Sequence, residues 1–326
     1  MEQLYPLIFN PIEKEKLWGG KNLSRILNKP QMSDSDGESW ELSGVPGNIS
    51  VVRNGPLAGK NLSELIEEFK DDLVGESVYK RHGTKFPLLF KFIDAQQDLS
   101  IQVHPNDELA KIRHNSFGKT EMWYVIDAEA DASLIVGFSE ALVAQQYVEH
   151  VEHNTLMSVL NREKVEPDDV FFIPAGRIHT IGKGLLIAEI QQTSDITYRI
   201  HDFDRVDANG NKRELHNELA VDAIDFEIPD SYKTNYDPTS KEQIIGASNY
   251  FITKRRRIEE TTTLDFNYAS CTVLMCIEGS YEVSFFDELT NITKGDTVLI
   301  PSCIEEFVLS PQMEGIVLEI HIPDFE

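Results

Sequence analysis

Three short segments of this chain carry residues that can bind a metal ion. Gln102 and His104 lie in DLSIQVHPND, Glu121 lies in GKTEMWYVI, and His179 lies in FFIPAGRIHTIG. Each residue is in or beside an apolar, β-branched run, a context that predicts β-strands. Two imidazoles and a carboxylate form the protein ligand set of many catalytic zinc sites, and also of iron sites. If the segments converge, the chain holds a metal ion with room for a substrate.

The spacing of Gln102 and His104 indicates how a strand would present them. Residues i and i+2 of a strand point to the same face, about 7 Å apart. Both side chains can therefore point inward while Val103 faces away. Gln102 thus joins the other three residues as a candidate ligand.

Composition limits the classes of partner. The chain has 326 residues, of which 41% are hydrophobic, enough for a large core or for two domains. With 30 Lys+Arg against 55 Asp+Glu, the net charge of -25 argues against nucleic acid and anionic membranes as partners. An anionic small molecule would need locally placed cations.

Signals in the chain favour a cytoplasmic protein. We identify no basic N-terminal region followed by an apolar stretch, and no apolar run of transmembrane length. The three cysteines, Cys271, Cys276 and Cys303, are odd in number and form no C-x-x-C motif. That pattern is typical of reduced thiols in the cytosol.

Periodicity predicts mainly β structure with helical insertions. PLLFKFIDA (87–95), LSIQVHP (99–105) and MWYVIDA (122–128) read as strands, whereas 61–69 and much of 139–162 have helical spacing. After Asp225 a polar segment precedes short strand runs whose turns recur at roughly ten-residue intervals. We expect two domains, residues 1–225 and residues 226–326.

An internal echo supports two similar halves. DVFFIP (169–174) resembles DTVLIP (296–301), and both resemble the second sequence motif of cupin-type jelly rolls. The P-x-G-x-x-H pattern is complete only at Pro174, Gly176 and His179. The resemblance implies two cupin-like jelly-roll β-barrels, the first with a metal site and the second without ligands.

Longer segments extend the likeness to one family. The chain resembles type I mannose-6-phosphate isomerases nearly end to end, and its length is that of the short bacterial form. The resemblance rests on IEKEKLWGGKNL, ESWELSGVPGNISVVRNGPLAGKNL, PLLFKFIDAQQDLSIQVHPND, KTEMWYVI, IPAGRIHTIGKGLLIAEIQQTSDITYRIHDFDR and ELHNELAVDAIDF. QVHPND and QQTSDITYRIHDFDR are its most specific parts.

The resemblance implies a zinc-dependent interconversion of mannose 6-phosphate and fructose 6-phosphate. Carried over by position, it implies one Zn²⁺ per chain, bound by His104, Glu121 and His179 with Gln102 as the fourth ligand. The substrate would be a small sugar phosphate.

The same comparison implies residues for catalysis and substrate binding. The family's catalytic arginine falls on Arg199, Glu189 and Asp195 stand where the family has active-site acids, and Lys91 falls in the substrate pocket. Eukaryotic members read SDNVVR where this chain has SDITYR, a difference that leaves Asp195 and Arg199 in place.

Aldose–ketose isomerisation moves a proton between C1 and C2 through an enediolate, so it needs a base and a cation. Glu189 is the leading candidate base, because the apolar strand LLIAEIQ would bury it and raise its pKa; Asp195 is the second. Arg199 and Lys91 supply cations for the phosphate, although Arg199 could instead assist at the enediolate.

Two other functions fit the same residues. One is a non-catalytic, metal-bearing sugar-phosphate sensor, and the other is a cupin-type iron oxygenase. Elsewhere, the basic run at 254–257 is interpreted as a solvated strand edge or turn, with a phosphate site as the weaker alternative.

Overall fold

The computed structural model describes residues 3–206, 209–266, 268–285 and 288–324. The strands of the first part are β1 (Leu7–Ile8), β2 (Ile12–Gly20), β3 (Asp36–Leu42), β4 (Gly44–Val45), β5 (Asn48–Ile49), β6 (Leu88–Ala95), β7 (Ile101–Val103), β8 (Glu121–Ala128), β9 (Ser133–Phe138), β10 (Leu160–Lys164), β11 (Val170–Ile173), β12 (His179–Thr180), β13 (Leu185–Gln192) and β14 (Tyr198–His201). Those of the last part are β15 (Glu242–Ala247), β16 (Ile252–Ile258), β17 (Thr262–Asp265), β18 (Thr272–Cys276), β19 (Ser280–Phe285), β20 (Glu288–Thr293), β21 (Thr297–Ile300), β22 (Glu306–Met313) and β23 (Gly315–His321).

Short helices are inserted between the strands. They are α1 (Asn22–Leu27), α2 (Leu62–Phe69), α3 (Asp71–Val74), α4 (Glu76–His82), α5 (Asp107–His114), α6 (Ala144–Glu152) and α7 (Asn217–Val221), with a 3-10 turn at Leu156–Ser158. Asn61 begins α2 with a capping box that it shares with Glu64. Within the described ranges, no helix has the length and apolar character needed to cross a bilayer.

The first unit consists of two antiparallel sheets packed face to face. One has the strand order β11-β8-β13-β6-β3-β2 and the other β10-β9-β12-β7-β14. Ile93, Val125 and Ile187 from the first sheet share a core cluster with Leu134 and Val136 from the second. The inner faces of both sheets therefore bound a common interior.

The second unit repeats this arrangement. Its sheets have the strand orders β1-β21-β18-β23-β16-β15 and β17-β22-β19-β20, with their own core around Leu274, Tyr281 and Val317. Strand β1, at the start of the chain, joins this C-terminal sheet. The boundary predicted at residue 225 stays a prediction.

A further core joins the two units through the outer faces of their six-stranded sheets. Phe90 and Ile190 of the first unit belong to the same buried cluster as Val273 and Leu318 of the second, together with residues of α2–α4. Both faces of the central strands are consequently covered, and every residue of β13 and β23 is buried.

The echo seen in the sequence corresponds to equivalent strands. β21, β18, β23 and β16 pair in the same order as β11, β8, β13 and β6. Lys254 lies opposite Glu319 as Lys91 lies opposite Glu189, and Thr272 occupies the position of Glu121. The mainly β, cupin-like fold predicted from the sequence is confirmed.

The interpretation of the basic run as a solvated edge was wrong. The run lies in β16, the second strand from the sheet edge, and Arg255 is only 1% exposed. Its Nε donates to the hydroxyl of Tyr124 in the first unit (3.3 Å). On the opposite face, Arg256 binds Glu319 (2.5 Å). The run serves contacts inside and between the units.

Candidate active site

Pairing of short strands brings the candidate ligands together. In the β7–β12 ladder Gln102 lies directly opposite His179, His104 follows the end of β7, and Glu121 begins β8. Nε2 of His179 lies 3.2 Å from Glu121 Oε1, and Nε2 of His104 lies 3.8 Å from Glu121 Oε2. The side chains of His104, Glu121 and His179 are all buried, and their ligand atoms lie within 4.8 Å of one another.

Hydrogen bonds orient the two imidazoles. Nδ1 of His104 lies 2.8 Å from the carbonyl oxygen of Ile196, and Nδ1 of His179 lies 2.8 Å from that of Arg177. A carbonyl only accepts, so each Nδ1 carries the hydrogen and each Nε2 presents a lone pair toward Glu121. Burial lowers the pKa of both rings, that of His179 to about 4, so both are neutral at pH 7.

This arrangement fits a metal cation. Nε2 of His104 and Oε1 of Glu121 are buried without a hydrogen-bond partner among the described residues, and the buried Oε2 has Lys119 Nζ 2.8 Å away. Orphaned acceptors are costly in a folded protein, and a divalent cation beside Glu121 would satisfy both of them. Burial raises the pKa of Glu121 to about 7, a change that a bound cation would oppose.

Gln102 is adjacent to the three ligands. Its Nε2 lies 3.3 Å from His179 Nε2, and its Oε1 accepts a long hydrogen bond from Ser100 Oγ (3.4 Å). A half-turn of the amide exchanges its oxygen and nitrogen. Coordination by Gln102 therefore needs that half-turn, and it stays a prediction.

A buried lysine that the sequence analysis did not single out bridges the site. Nζ of Lys119 lies 2.8 Å from Glu121 Oε2 and 3.9 Å from Glu189 Oε1, and the residue is 5% exposed. Lys119 and Glu121 are spaced i and i+2 in an extended segment, the same spacing that relates Gln102 to His104. That spacing was the signal in the sequence from which Lys119 could have been selected.

Three neighbouring strands place Lys91, Glu189 and Trp123 side by side. Glu189 Oε1 accepts from Lys91 Nζ and Oε2 accepts from Trp123 Nε1, both at 2.9 Å. Burial by itself would raise the pKa of Glu189, as the sequence suggested. The charges of Lys119 and Lys91 and the two hydrogen bonds outweigh it, so the pKa is lowered to about 2.

A cavity of about 330 Å³ opens beside these residues, a size suited to a small metabolite. Asp195 lies on its wall and is exposed to solvent. Gln102 and Lys119, which contact members of the ligand set, also face it. The lining residues are Lys16, Trp18, Glu38, Trp40, Lys91, Ile93, Leu99, Ser100, Gln102, Lys119, Ile181, Glu189, Asp195, Thr197, Arg199 and Arg213.

Arginines concentrate positive charge at one side of this cavity. Arg199 lies opposite Gln102 in the β14–β7 ladder. Its Nη1 donates to the carbonyl oxygen of Glu214 (2.9 Å). The carboxylate of Asp202 holds Arg213 and Arg205, with Arg213 Nε at 2.8 Å. Burial and the charge of Arg213 lower the pKa of Arg199. The sequence analysis had not selected Arg213.

The structure thus brings together all eight predicted site residues. His104, Glu121 and His179 form one buried group that Gln102 adjoins, and their neighbours line one cavity. Lys91, Glu189 and Arg199 lie on the cavity wall, as does Asp195. The roles assigned to these residues stay predictions.

Comparison with known proteins gives the family. Residues 7–131 match the model of the phosphomannose isomerase type I catalytic domain. The chain is 37% identical to mannose-6-phosphate isomerase ManA of Bacillus subtilis over 96% of this chain and 98% of that protein. It is 32% identical to a mannose-6-phosphate isomerase of Streptococcus mutans over 95% and 96%.

The fold agrees with that relationship. The crystal structure of a mannose 6-phosphate isomerase from Bacillus subtilis superimposes with a TM-score of 0.88 at 33% identity, covering 98% of this chain and 100% of that one. Similarity therefore extends through both units and includes the segments that build the cavity. The chain belongs to the type I phosphomannose isomerase family.

Proposed function

We propose that this protein is a zinc-dependent isomerase that interconverts mannose 6-phosphate and fructose 6-phosphate. The observation that carries the proposal is the convergence of two neutral imidazoles and a buried carboxylate beside an arginine-lined cavity, with Nε2 of His104 and Oε1 of Glu121 unpaired among the described residues. One Zn²⁺ per chain would be held by His104, Glu121 and His179, with Gln102 as the fourth ligand. The donor set fits both zinc and iron, and we favour zinc because the resemblance to type I mannose-6-phosphate isomerases implies it.

The reaction transfers a proton between C1 and C2 of the sugar through an enediolate. When bound, the cation would supply Lewis-acid polarisation of the sugar oxygens. Lys119 contributes a buried ammonium beside Glu121 and Glu189, where it can donate a hydrogen bond to an oxygen that gains negative charge. Lys119 and Glu189 are themselves buried, so solvent screens their charges less than it screens surface charges.

Glu189 is the proton acceptor that we favour. Lys119 contacts both it and Glu121, so Glu189 lies close to the proposed ligands. Its lowered pKa keeps it ionised at neutral pH and ready to accept, although the two lysines weaken it as a base. Asp195 on the exposed wall is the alternative.

We propose that the phosphate binds at the arginine side of the cavity. Arg199 and Arg213 both line it, and a guanidinium fork matches phosphate oxygens in a bidentate manner. Lys91 is paired with Glu189, the proton acceptor that we favour, so we place Lys91 beside the sugar hydroxyls. In a protein with a net charge of -25, the cluster provides the local cations that an anionic substrate needs.

The remaining expectations from the sequence are also proposals. We propose that the protein acts in the cytoplasm without nucleic-acid or membrane partners. We also propose that residues 1–225 carry the catalysis and residues 226–326 form the second domain.

The deciding experiment is an isomerase assay with mannose 6-phosphate before chelation, after chelation and after zinc return. Activity should disappear with the metal and come back with about one zinc per chain. An unchanged rate in demonstrably metal-free protein would contradict the zinc mechanism. A zinc-loaded protein without turnover would favour the sensor, and a need for iron and oxygen would favour the oxygenase.

The base can be assigned by solvent hydrogen exchange into the substrate. Glu189→Gln should abolish both turnover and exchange at the reacting carbons, whereas Asp195→Asn should retain most of both. The reverse pattern would assign the base to Asp195. Metal content, measured in both variants, controls for damage to the metal site.

A further inference from the structure

Asp107, three residues after His104, is the centre of a hydrogen-bond junction. Its Oδ1 accepts from the backbone N–H of Gly118 (2.8 Å) and from Nε2 of Gln192 (3.0 Å). Its Oδ2 accepts from the hydroxyl of Tyr250 (2.8 Å). One carboxylate therefore joins the His104 loop, the segment before β8, the end of β13 and the second unit.

The junction leads directly to the proposed metal ligands. The side-chain oxygen of Gln192 accepts from the N–H of Thr120 (2.9 Å), and the N–H of Lys119 donates to the carbonyl of Pro105 (3.1 Å). Thr120 lies between Lys119 and Glu121. Segment 118–121 is thus held on one side by the loop that carries Asp107 and on the other by Gln192, which donates to Asp107.

Packing at Gly118 shows how close these backbones are. A Cβ at Gly118 would lie 2.5 Å from the backbone nitrogen of Asp107 and 2.6 Å from the carbonyl carbon of Asn106. The two backbones therefore leave no room for a side chain at position 118, and Gly118 can keep its hydrogen bond to Asp107 at this close approach.

The second unit holds Tyr250 in a hydrogen-bonded turn. It lies in the turn between β15 and β16, where Ser248 Oγ accepts from the N–H groups of Tyr250 and Phe251, both at 3.1 Å. Ser248 N–H donates to the carbonyl of Phe251 (3.0 Å). Phe251 is fully buried and packs against Phe172 of the first unit.

We infer that Tyr250 is a positioning residue through which the second unit holds the active-site segments in place. Its hydroxyl fixes Asp107, and Asp107 fixes the loop after His104 and segment 118–121. Tyr250 does not line the cavity, so it acts on the reaction only through these residues. The inference rests on the proposed metal-dependent isomerase function.

Tyr250→Phe tests this, because it removes only the hydroxyl. Tyr236→Phe is a matched control: Tyr236 also belongs to the last part of the chain, and its hydroxyl donates to the carbonyl of Asp168, before β11, in the first unit. Four quantities are measured on the full chain: backbone amide exchange at 118–120, the zinc dissociation constant by chelator competition, kcat and KM.

In Tyr250→Phe, amide exchange at 118–120 should become about tenfold faster, in keeping with the loss of a hydrogen bond to a charged acceptor. The zinc dissociation constant should rise, or kcat fall, about tenfold, as for other residues that support metal ligands indirectly. KM should stay within about twofold, because Tyr250 does not contact the cavity. Tyr236→Phe should leave all of these values within about twofold of the unaltered protein.

Exchange at 118–120 that is unchanged in Tyr250→Phe would overturn the inference, as would an equal effect of Tyr236→Phe. Amide exchange does not require metal or turnover, so it decides the role of Tyr250 even if the unaltered protein proves inactive. Failure of the isomerase assay would instead contradict the proposed function.

Discussion

Replacing Glu121 by Gln should stabilise the metal-free protein at alkaline pH and remove its stabilisation by zinc. Glu121 is fully buried, and the ammonium of Lys119, 2.8 Å from its Oε2, is shared with Glu189. Without a metal ion, burial outweighs this shared charge, so the ionised form of Glu121 is disfavoured. Gln has the same shape without the charge.

The magnitude follows from the pKa of Glu121. Burial raises it from 4.5 to about 7. A carboxyl group whose pKa is raised on folding contributes most to stability below its unfolded value, and that contribution is lost as the pH rises through the folded value. These pKa values correspond to a cost of about 3 kcal/mol at pH 8 and about 1 kcal/mol at pH 5.

The assay is urea unfolding with chelator at pH 8 and pH 5, repeated with zinc. Without metal, Glu121→Gln should raise the free energy of unfolding by about 2–3 kcal/mol at pH 8, and by about 1 kcal/mol or less at pH 5. With zinc, the unaltered protein should gain stability by mass action while the variant gains little.

Glu189→Gln provides a control of opposite sign. The pKa of Glu189 is lowered, so its ionised form stabilises the fold above pH 4.5, and that contribution is lost as the pH falls toward 2. This variant should therefore be less stable than the unaltered protein at pH 8. A loss of metal-free stability in Glu121→Gln at pH 8, or an effect independent of pH, would refute the reasoning.

Three further variants probe neighbouring groups. Lys119→Met should abolish turnover and lower the free energy of unfolding by about 3–5 kcal/mol, because it leaves two buried carboxylates without their shared cation; unfolding curves and kcat check this, and retained activity would contradict it. Arg199→Lys should lower kcat/KM for mannose 6-phosphate at least about tenfold, through loss of the bidentate fork, and an unchanged value would remove Arg199 from the substrate site. Gly118→Ala should weaken zinc binding, because its Cβ would collide with the backbone of Asp107; chelator competition measures this, and normal affinity would show that the loop can adjust.

The identity of the proposed ligands could be predicted because it depends on local order. Alternation along a strand determines that Gln102 and His104 share a face, and the turn motif before His179 places that imidazole at the start of a short strand. Both features depend on residues close together in the sequence. The predicted strands around these positions are present in the structure for the same reason.

The electrostatic state of the site could not be predicted in this way. Glu189 was expected to have a raised pKa because its strand is apolar. Its pKa is lowered, because the charges of Lys119 and Lys91 and the hydrogen bonds from Lys91, 98 positions away, and Trp123, 66 positions away, outweigh burial. Burial can be judged from one strand, whereas compensation requires knowledge of the neighbouring strands.

Tertiary structure also decided which cations belong to the site. Lys119 is two positions before the proposed ligand Glu121, whereas Arg213 lies in the connection after β14. Both line the cavity with Arg199. Arg255, in the most basic run of the chain, is buried between the units instead. By itself, the sequence determined which residues are candidate metal ligands and which strands lie beside them. The register between strands decided the protonation states and hydrogen-bond partners of the site residues, because Coulomb and hydrogen-bond energies depend on distances between segments far apart in the chain.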